Sequence, residues 1–220
     1  YTLWHTLSLH DALPICRHIA MQKAFFVGDS ISVRYGPSLE RYLAPEVRYD
    51  RKSGLDDALR DLDVPQGQNA GDSTMVLEYL SNNKTHGEIQ NVDLLVANCG
   101  LHDIKTDPDS GERQVGIDQY RSNLEHIVTA GRSLCKEFVW ISTTPLIDAV
   151  HNARNEKFFR YRDQLLSYNE VAKDVMAAAG VPTIDLFGLT LELESDIGEA
   201  IYEDHVHFTP EVRRVQAAFV

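Results

Sequence analysis

Five short apolar runs, separated by turns and helix-length stretches, constrain the fold of this chain more than any other feature. They cover residues 23–27, 47–49, 92–97, 138–142 and 182–185. A short run without polar alternation marks a strand buried on both faces, and the run at 92–97 (VDLLVA) is the clearest. Between them lie helical patterns. One spans 37–43 after a Gly-Pro turn, and one runs from a cap at Asp72 or Ser73 to about Leu80. A third spans 116–133, with Ile117, Tyr120, Leu124, Ile127 and Val128 on one face, and a fourth spans 158–179 and ends at Gly180. A last helix starts at Pro210 and runs to Val220, and residues 64–69, with Pro65 and Gly67, read as loop. Strands alternating with helices require right-handed crossovers, hence an α/β fold with a mostly parallel sheet of about five strands and helices on both faces.

Composition narrows the partners. The chain has 220 residues, 43% hydrophobic and 25% charged, enough for one domain with a substantial core. A net charge of -12 without Lys/Arg clusters excludes a phosphate-binding surface, so neither nucleic acid nor anionic membrane is expected as a partner. No apolar run approaches the roughly 20 residues that span a bilayer. Cys16, Cys99 and Cys135 are too few and too scattered for a disulfide framework or a zinc site. Residues 6–15 resemble a sequencing adapter translated in frame, so 1–20 are read as artefact or leader and 21–220 as the domain. Setting 1–20 aside leaves the charge unchanged, since they hold one base, Arg17, and one acid, Asp11. A cytoplasmic location follows if Met21 is the start, a secreted one if a leader has been lost. The oligomeric state is left open.

Two segments carry chemistry. Gly28-Asp29-Ser30 closes the first strand run, and Asp204-His205-Val206-His207 precedes the last helix. A serine hydroxyl becomes a nucleophile when a base lies within hydrogen-bond reach and a third group orients that base. Ser30, His207 and Asp204 supply those three functions, which points to acyl transfer. Ser73, in a second Gly-Asp-Ser, is the rival serine, but it follows a polar stretch and reads as a cap. His205 is the rival base. A zinc chelate of Asp204, His205 and His207 is the metal alternative, and without a further ligand cluster no metal is expected.

Together these segments resemble the SGNH (GDSL) hydrolase family. The resemblance rests on Gly28-Asp29-Ser30-Ile31-Ser32 after a strand, Gly71-Asp72-Ser73 opening a helix, Gly100-Leu101-His102-Asp103 after a strand, and Asp204-x-x-His207 before a terminal helix, in the family's order. It implies a three-layer α/β/α (flavodoxin-like) fold and an ester-hydrolysing serine enzyme that needs no cofactor. It makes Ser30 the nucleophile, His207 the base and Asp204 its orienting group. The oxyanion hole would comprise the N–H of Ser30, the N–H of Gly71 and the side chain of His102. The family's usual residue at that last position is asparagine. A histidine also donates an N–H, but its protonation then matters. Asn98 is an alternative amide donor, and Asp103 a cap or turn residue.

Arg34, Tyr35, Arg51 and Lys52 are placed near the same edge, with Arg51-Lys52 a candidate for polar or acidic substrates and solvated surface the blander reading. The loop 106–114 is one pocket wall or a plain connection. The polar sequence around the motifs favours a short acyl group, such as acetyl, on a carbohydrate or other polar carrier. The alternatives are a lysophospholipase or thioesterase, and a family member that binds an acylated ligand without turning it over. Activity is expected to fall at low pH as His207 takes up a proton.

Overall fold

Runs of β-branched and aromatic residues form the strands because their backbone polar groups are satisfied only by neighbouring strands once both faces are covered. The computed structural model describes residues 21–220. The strands are β1 (Gln22–Val27), β2 (Val47–Arg51), β3 (Val92–Ala97), β4 (Cys135–Ile141) and β5 (Thr183–Ile184). They form one sheet in the order β2-β1-β3-β4-β5, parallel throughout. The helices are α1 (Ser30–Leu43), α2 (Leu55–Arg60), α3 (Ser73–His86), α4 (Ile117–Arg132), α5 (Asp148–Arg154), α6 (Arg162–Ala179), α7 (Leu186–Ile197) and α8 (Pro210–Phe219). Helix α1 packs on α8 and α8 on α7, while α3 packs on α4 and α4 on α6, which makes the two helical layers of an α/β/α sandwich. Phe25, Leu95, Leu124, Trp140 and Tyr168 are buried in the continuous core between them. This strand order reverses direction between β1 and β3, and sheets of this kind bind ligands beyond the carboxyl ends of the strands at that switch.

The structure corrects several boundaries. Helix α1 begins at Ser30 rather than after the Gly-Pro turn, and Pro37 lies inside it. Asp29 caps it by accepting the Ile31 N–H (3.0 Å), and buried Ile31, Val33, Tyr35 and Leu39 outweigh the single bond Pro37 cannot make. Helix α3 continues past Leu80 to His86, and β4 starts at Cys135. Three helices, α2, α5 and α7, were not marked by periodicity. In α7 the leucines at 189, 191 and 193 alternate like a strand, and the helix depends on Asp185 accepting the Gly188 N–H (3.0 Å). The pattern read as helix from residue 158 does not become helical until Arg162. Phe159 instead pairs with Thr106, each N–H donating to the other's carbonyl at 2.8 Å. The expectation for residues 1–20 lies outside the described residues.

Candidate active site

The site is assembled at the switch point. Ser30 follows β1, His102 follows β3, and the loop holding Asp204 and His207 returns from beyond β5 before α8. Ser30 Oγ lies 2.8 Å from His207 Nε2, across 177 positions of sequence. His207 Nδ1 lies 2.8 Å from Asp204 Oδ2. Asp204 Oδ1 accepts the backbone N–H groups of His205, Val206 (2.6 Å) and His207 (2.8 Å), so the carboxylate shapes the turn that carries the imidazole. Burial alone would raise the Asp204 carboxyl. The hydrogen bond and charge of His207, with the backbone donors, instead hold it well below the usual carboxylate range. The turn is anchored on both sides. Glu203 accepts Arg34 from α1 and Arg213 from α8 (2.5 Å), and its N–H donates to the His207 carbonyl (2.8 Å).

The rival residues are engaged elsewhere. Asp72, not Ser73, caps α3 by accepting the Met75 N–H (3.0 Å), while Ser73 Oγ accepts Asn123 Nδ2 (2.9 Å). The His205 ring packs on the His151 ring, with centroids 4.7 Å apart. Asn98 Nδ2 donates to the Ile141 carbonyl (2.9 Å) and ties the end of β3 to β4. Arg51 donates to the Ser32 carbonyl (2.8 Å) and Ser32 Oγ (3.1 Å), and Lys52 donates to the Gly67 carbonyl. Arg51 therefore ties the end of β2 to α1 and Lys52 holds the loop at Gly67, partnerships neither reading of the sequence anticipated. Tyr35 is buried. Among the described residues no group of three or more His, Cys, Asp or Glu side chains is arranged to hold a metal ion.

Three groups are expected to donate to an oxyanion at Ser30. Its own N–H opens α1, where intrahelical carbonyls cannot reach it and the helix dipole favours negative charge. Gly71 sits at φ +78°, a conformation that favours glycine, and an added Cβ would lie 2.8 Å from Pro65. Its N–H already donates to Asn69 Oδ1 at 3.2 Å. His102 is 2% exposed, and its Nδ1 is buried without a partner. Burial, with the positive charges of Lys105 and Arg160, pushes the imidazole well below its ordinary value, so it is neutral. The tautomer that leaves the lone pair on Nδ1 puts the N–H on Nε2.

Asp103 is fully buried and accepts the Ser73 N–H at 2.9 Å, so it serves the opening of α3, 30 positions away, rather than its own turn. Burial raises its carboxyl to about 7. Below about pH 4 both folded and unfolded chains hold this proton. As pH rises towards 7 the unfolded chain releases it and the folded chain keeps it, so stability is lost across that window. Asp103→Asn cannot ionise. We expect it to unfold with wild type at pH 4 and to be more stable by roughly 2–4 kcal/mol at pH 8. Thermal melts at both pH values check this, and a difference that does not grow with pH refutes it.

Two polar cavities share Lys105, Lys157 and Phe158, and none of Ser30, Gly71, His102, Asp204 or His207 lines either of them. One of about 630 Å³ is lined by Asp61, Asp63 and Pro65 among others. The second, of about 480 Å³, has the 106–114 loop as a wall through Asp107, Arg113 and Gln114. Sequence reasoning missed Asn69, His151, Arg160 and Glu203. Arg160 alone carried a signal, a cation set among Phe158, Phe159 and Tyr161.

A parallel α/β sandwich with a serine, an imidazole and a carboxylate in line at its switch point defines a serine hydrolase. The chain belongs to the GDSL-like lipase/acylhydrolase family, whose model matches residues 26–215, and it is a carboxylic ester hydrolase. Solved structures agree on the fold. A lipase/acylhydrolase from Enterococcus faecalis is 22% identical with a TM-score of 0.64, covering 90% of this chain and 93% of its own. An acetylxylan esterase from Geobacillus stearothermophilus is 17% identical with a TM-score of 0.61, covering 90% and 91%. A further enzyme, from the metagenome of Lake Arreo, is 17% identical with a TM-score of 0.64, covering 90% and 92%. No curated protein matches the sequence significantly. Among the described residues no helix is long and apolar enough to cross a membrane.

Proposed function

We propose that this chain removes a short acyl group, acetyl in the first instance, from a carbohydrate or similarly polar carrier through an acyl-enzyme on Ser30. The observation that carries the chemistry is the 2.8 Å contact of Ser30 Oγ with His207 Nε2, continued by the 2.8 Å contact of His207 Nδ1 with Asp204 Oδ2. His207 Nε2 takes the hydroxyl proton as Oγ attacks the ester carbonyl. The oxyanion then receives hydrogen bonds from the N–H groups of Ser30 and Gly71 and from His102. Collapse expels the alcohol, which takes the proton from His207. Water, deprotonated by the same imidazole, attacks the acyl-enzyme and releases the carboxylic acid. Asp204 keeps the imidazole in the tautomer both half-reactions require.

The carrier reading is supported by the polar lining of the two cavities that meet at Lys105, three residues after His102. Carboxylates (Asp61, Asp63), cations (Lys105, Lys157) and an amide (Gln114) suit hydroxyl-rich groups better than a fatty chain. Acetylxylan esterases among the structural neighbours are consistent with it. Initial rates on p-nitrophenyl acetate, butyrate, octanoate and palmitate test the proposal. We expect kcat/KM to be highest for acetate and to fall with chain length. A preference for octanoate or longer would overturn the carbohydrate reading in favour of a lipid or thioester substrate.

A further inference from the structure

We infer that Arg160 is a positioning residue of this site, fixing through the Leu101 carbonyl the peptide that carries His102. The inference rests on the oxyanion role proposed for His102. Arg160 is 2% exposed, and a buried cation persists only when its N–H groups find good partners. Its Nε donates to the Leu101 carbonyl at 2.8 Å. Its second arm reaches Asp63 Oδ1 at 3.2 Å, and its guanidinium lies 4.9 Å from the Phe158 ring centroid. Its backbone N–H is held by Asn152 Oδ1 at 2.9 Å. The pairing of Phe159 with Thr106 keeps this stretch out of helix α6, so that the side chain at 160 enters the interior.

The carbonyl that Arg160 holds belongs to the same rigid peptide plane as the His102 N–H. Rotation of that plane moves the imidazole, and the donor must meet the oxyanion within a few tenths of an ångström. A neutral donor could grip the carbonyl equally well. The cation adds a second effect. Of the charged groups around His102, Lys105 on its own loop, Arg160 before α6 and His207 before α8 all disfavour its protonation. The guanidinium charge is in turn balanced by Asp63 from the loop before α3, by Asp29 at the head of α1 and by Asp204. Arg160 thus adds to the burial and the Lys105 charge that keep His102 a single-proton donor, while its own charge is neutralised elsewhere.

The experiment compares Arg160→Met, Arg160→Lys and Asp63→Asn with His102→Ala and His102→Asn on p-nitrophenyl acetate across pH, with thermal melts. Arg160→Met is expected to lower kcat about 10- to 100-fold with KM within about twofold. Arg160→Lys should recover only part, because an ammonium lacks the planar fork. The acid limb of kcat should move to higher pH in Arg160→Met, and by less when His102→Asn is combined with it. Asp63→Asn, which leaves the Leu101 bond in place, should lose only severalfold. If Arg160→Met does not fold, Arg160→Lys and Asp63→Asn carry the same comparison. A wild-type kcat in a folded Arg160→Met, or an acid limb that moves as far in the His102→Asn background, overturns the proposal. His102→Ala at the wild-type rate would instead sink the oxyanion role of His102, a failure distinct from an inert Arg160 beside a costly His102→Ala.

Discussion

Replacing Ser30 with alanine is expected to lower kcat on p-nitrophenyl acetate by about five to six orders of magnitude, the cost of removing the nucleophile of a comparable triad. The loss should be purely chemical. Asp29, not Ser30, caps α1, through its carboxylate and the Ile31 N–H, and the cap survives the substitution. Alanine is also a good helix former at an opening position. The thermal midpoint should therefore stay close to wild type, and the residual rate should match what the oxyanion donors alone supply. A fluorophosphonate probe, which needs an activated serine, should label wild type and leave the variant unlabelled. Ser73→Ala is the matched control. Its hydroxyl accepts Asn123 and is fully buried, so it should retain wild-type labelling. More than a tenth of wild-type activity in Ser30→Ala would remove Ser30 from the mechanism.

Asp204→Asn is the second large effect, about 10⁴-fold in kcat near pH 7. The asparagine oxygen can still accept the three backbone N–H groups of the turn, so the loop should keep its shape. The amide nitrogen would then face His207 Nδ1 with hydrogens instead of a lone pair. That forces the imidazole into the tautomer with its proton on Nε2, where it meets the Ser30 hydroxyl donor to donor and cannot act as a base. The wild-type carboxylate is held low in the folded state. Its contribution to stability is present above the unfolded carboxylate pKa and is lost only as pH falls through the lower folded one. At neutral pH that contribution is fully present in wild type, so the activity loss should be accompanied by a lower melting temperature, and the melting difference should shrink as pH falls below the ordinary carboxylate range. An Asp204→Asn variant within tenfold of wild type would show that Asp204 does not set the tautomer.

The family and the outline of the site were legible because their signals are local. Gly-Asp-Ser after an apolar run, Gly71 ahead of a helix and Asp-x-x-His ahead of Pro210 each lie within five residues or so, and each works through its own turn or cap. The five strand runs were legible for the same reason, since burial on both faces writes itself into consecutive residues. The reading failed where the deciding partner is remote. Arg160 looked like part of a helix until Phe159 paired with Thr106, and Arg51 and Lys52 looked free until their carbonyl partners at 32 and 67 came into place. Asn69 carried no mark of its hold on Gly71. Helix α7 was hidden by a leucine alternation that periodicity assigns to a strand.

By itself, then, the sequence determined the alternation of strands and helices and the residue types available for chemistry, because hydrophobic period and capping are properties of neighbouring residues. The tertiary structure decided which serine, which histidine and which cations meet. Parallel crossovers bring the ends of β1 and β3 together and carry the last loop back across them, so residues 177 positions apart share one hydrogen bond. A buried polar group takes whatever partner that convergence supplies, and no local pattern encodes it.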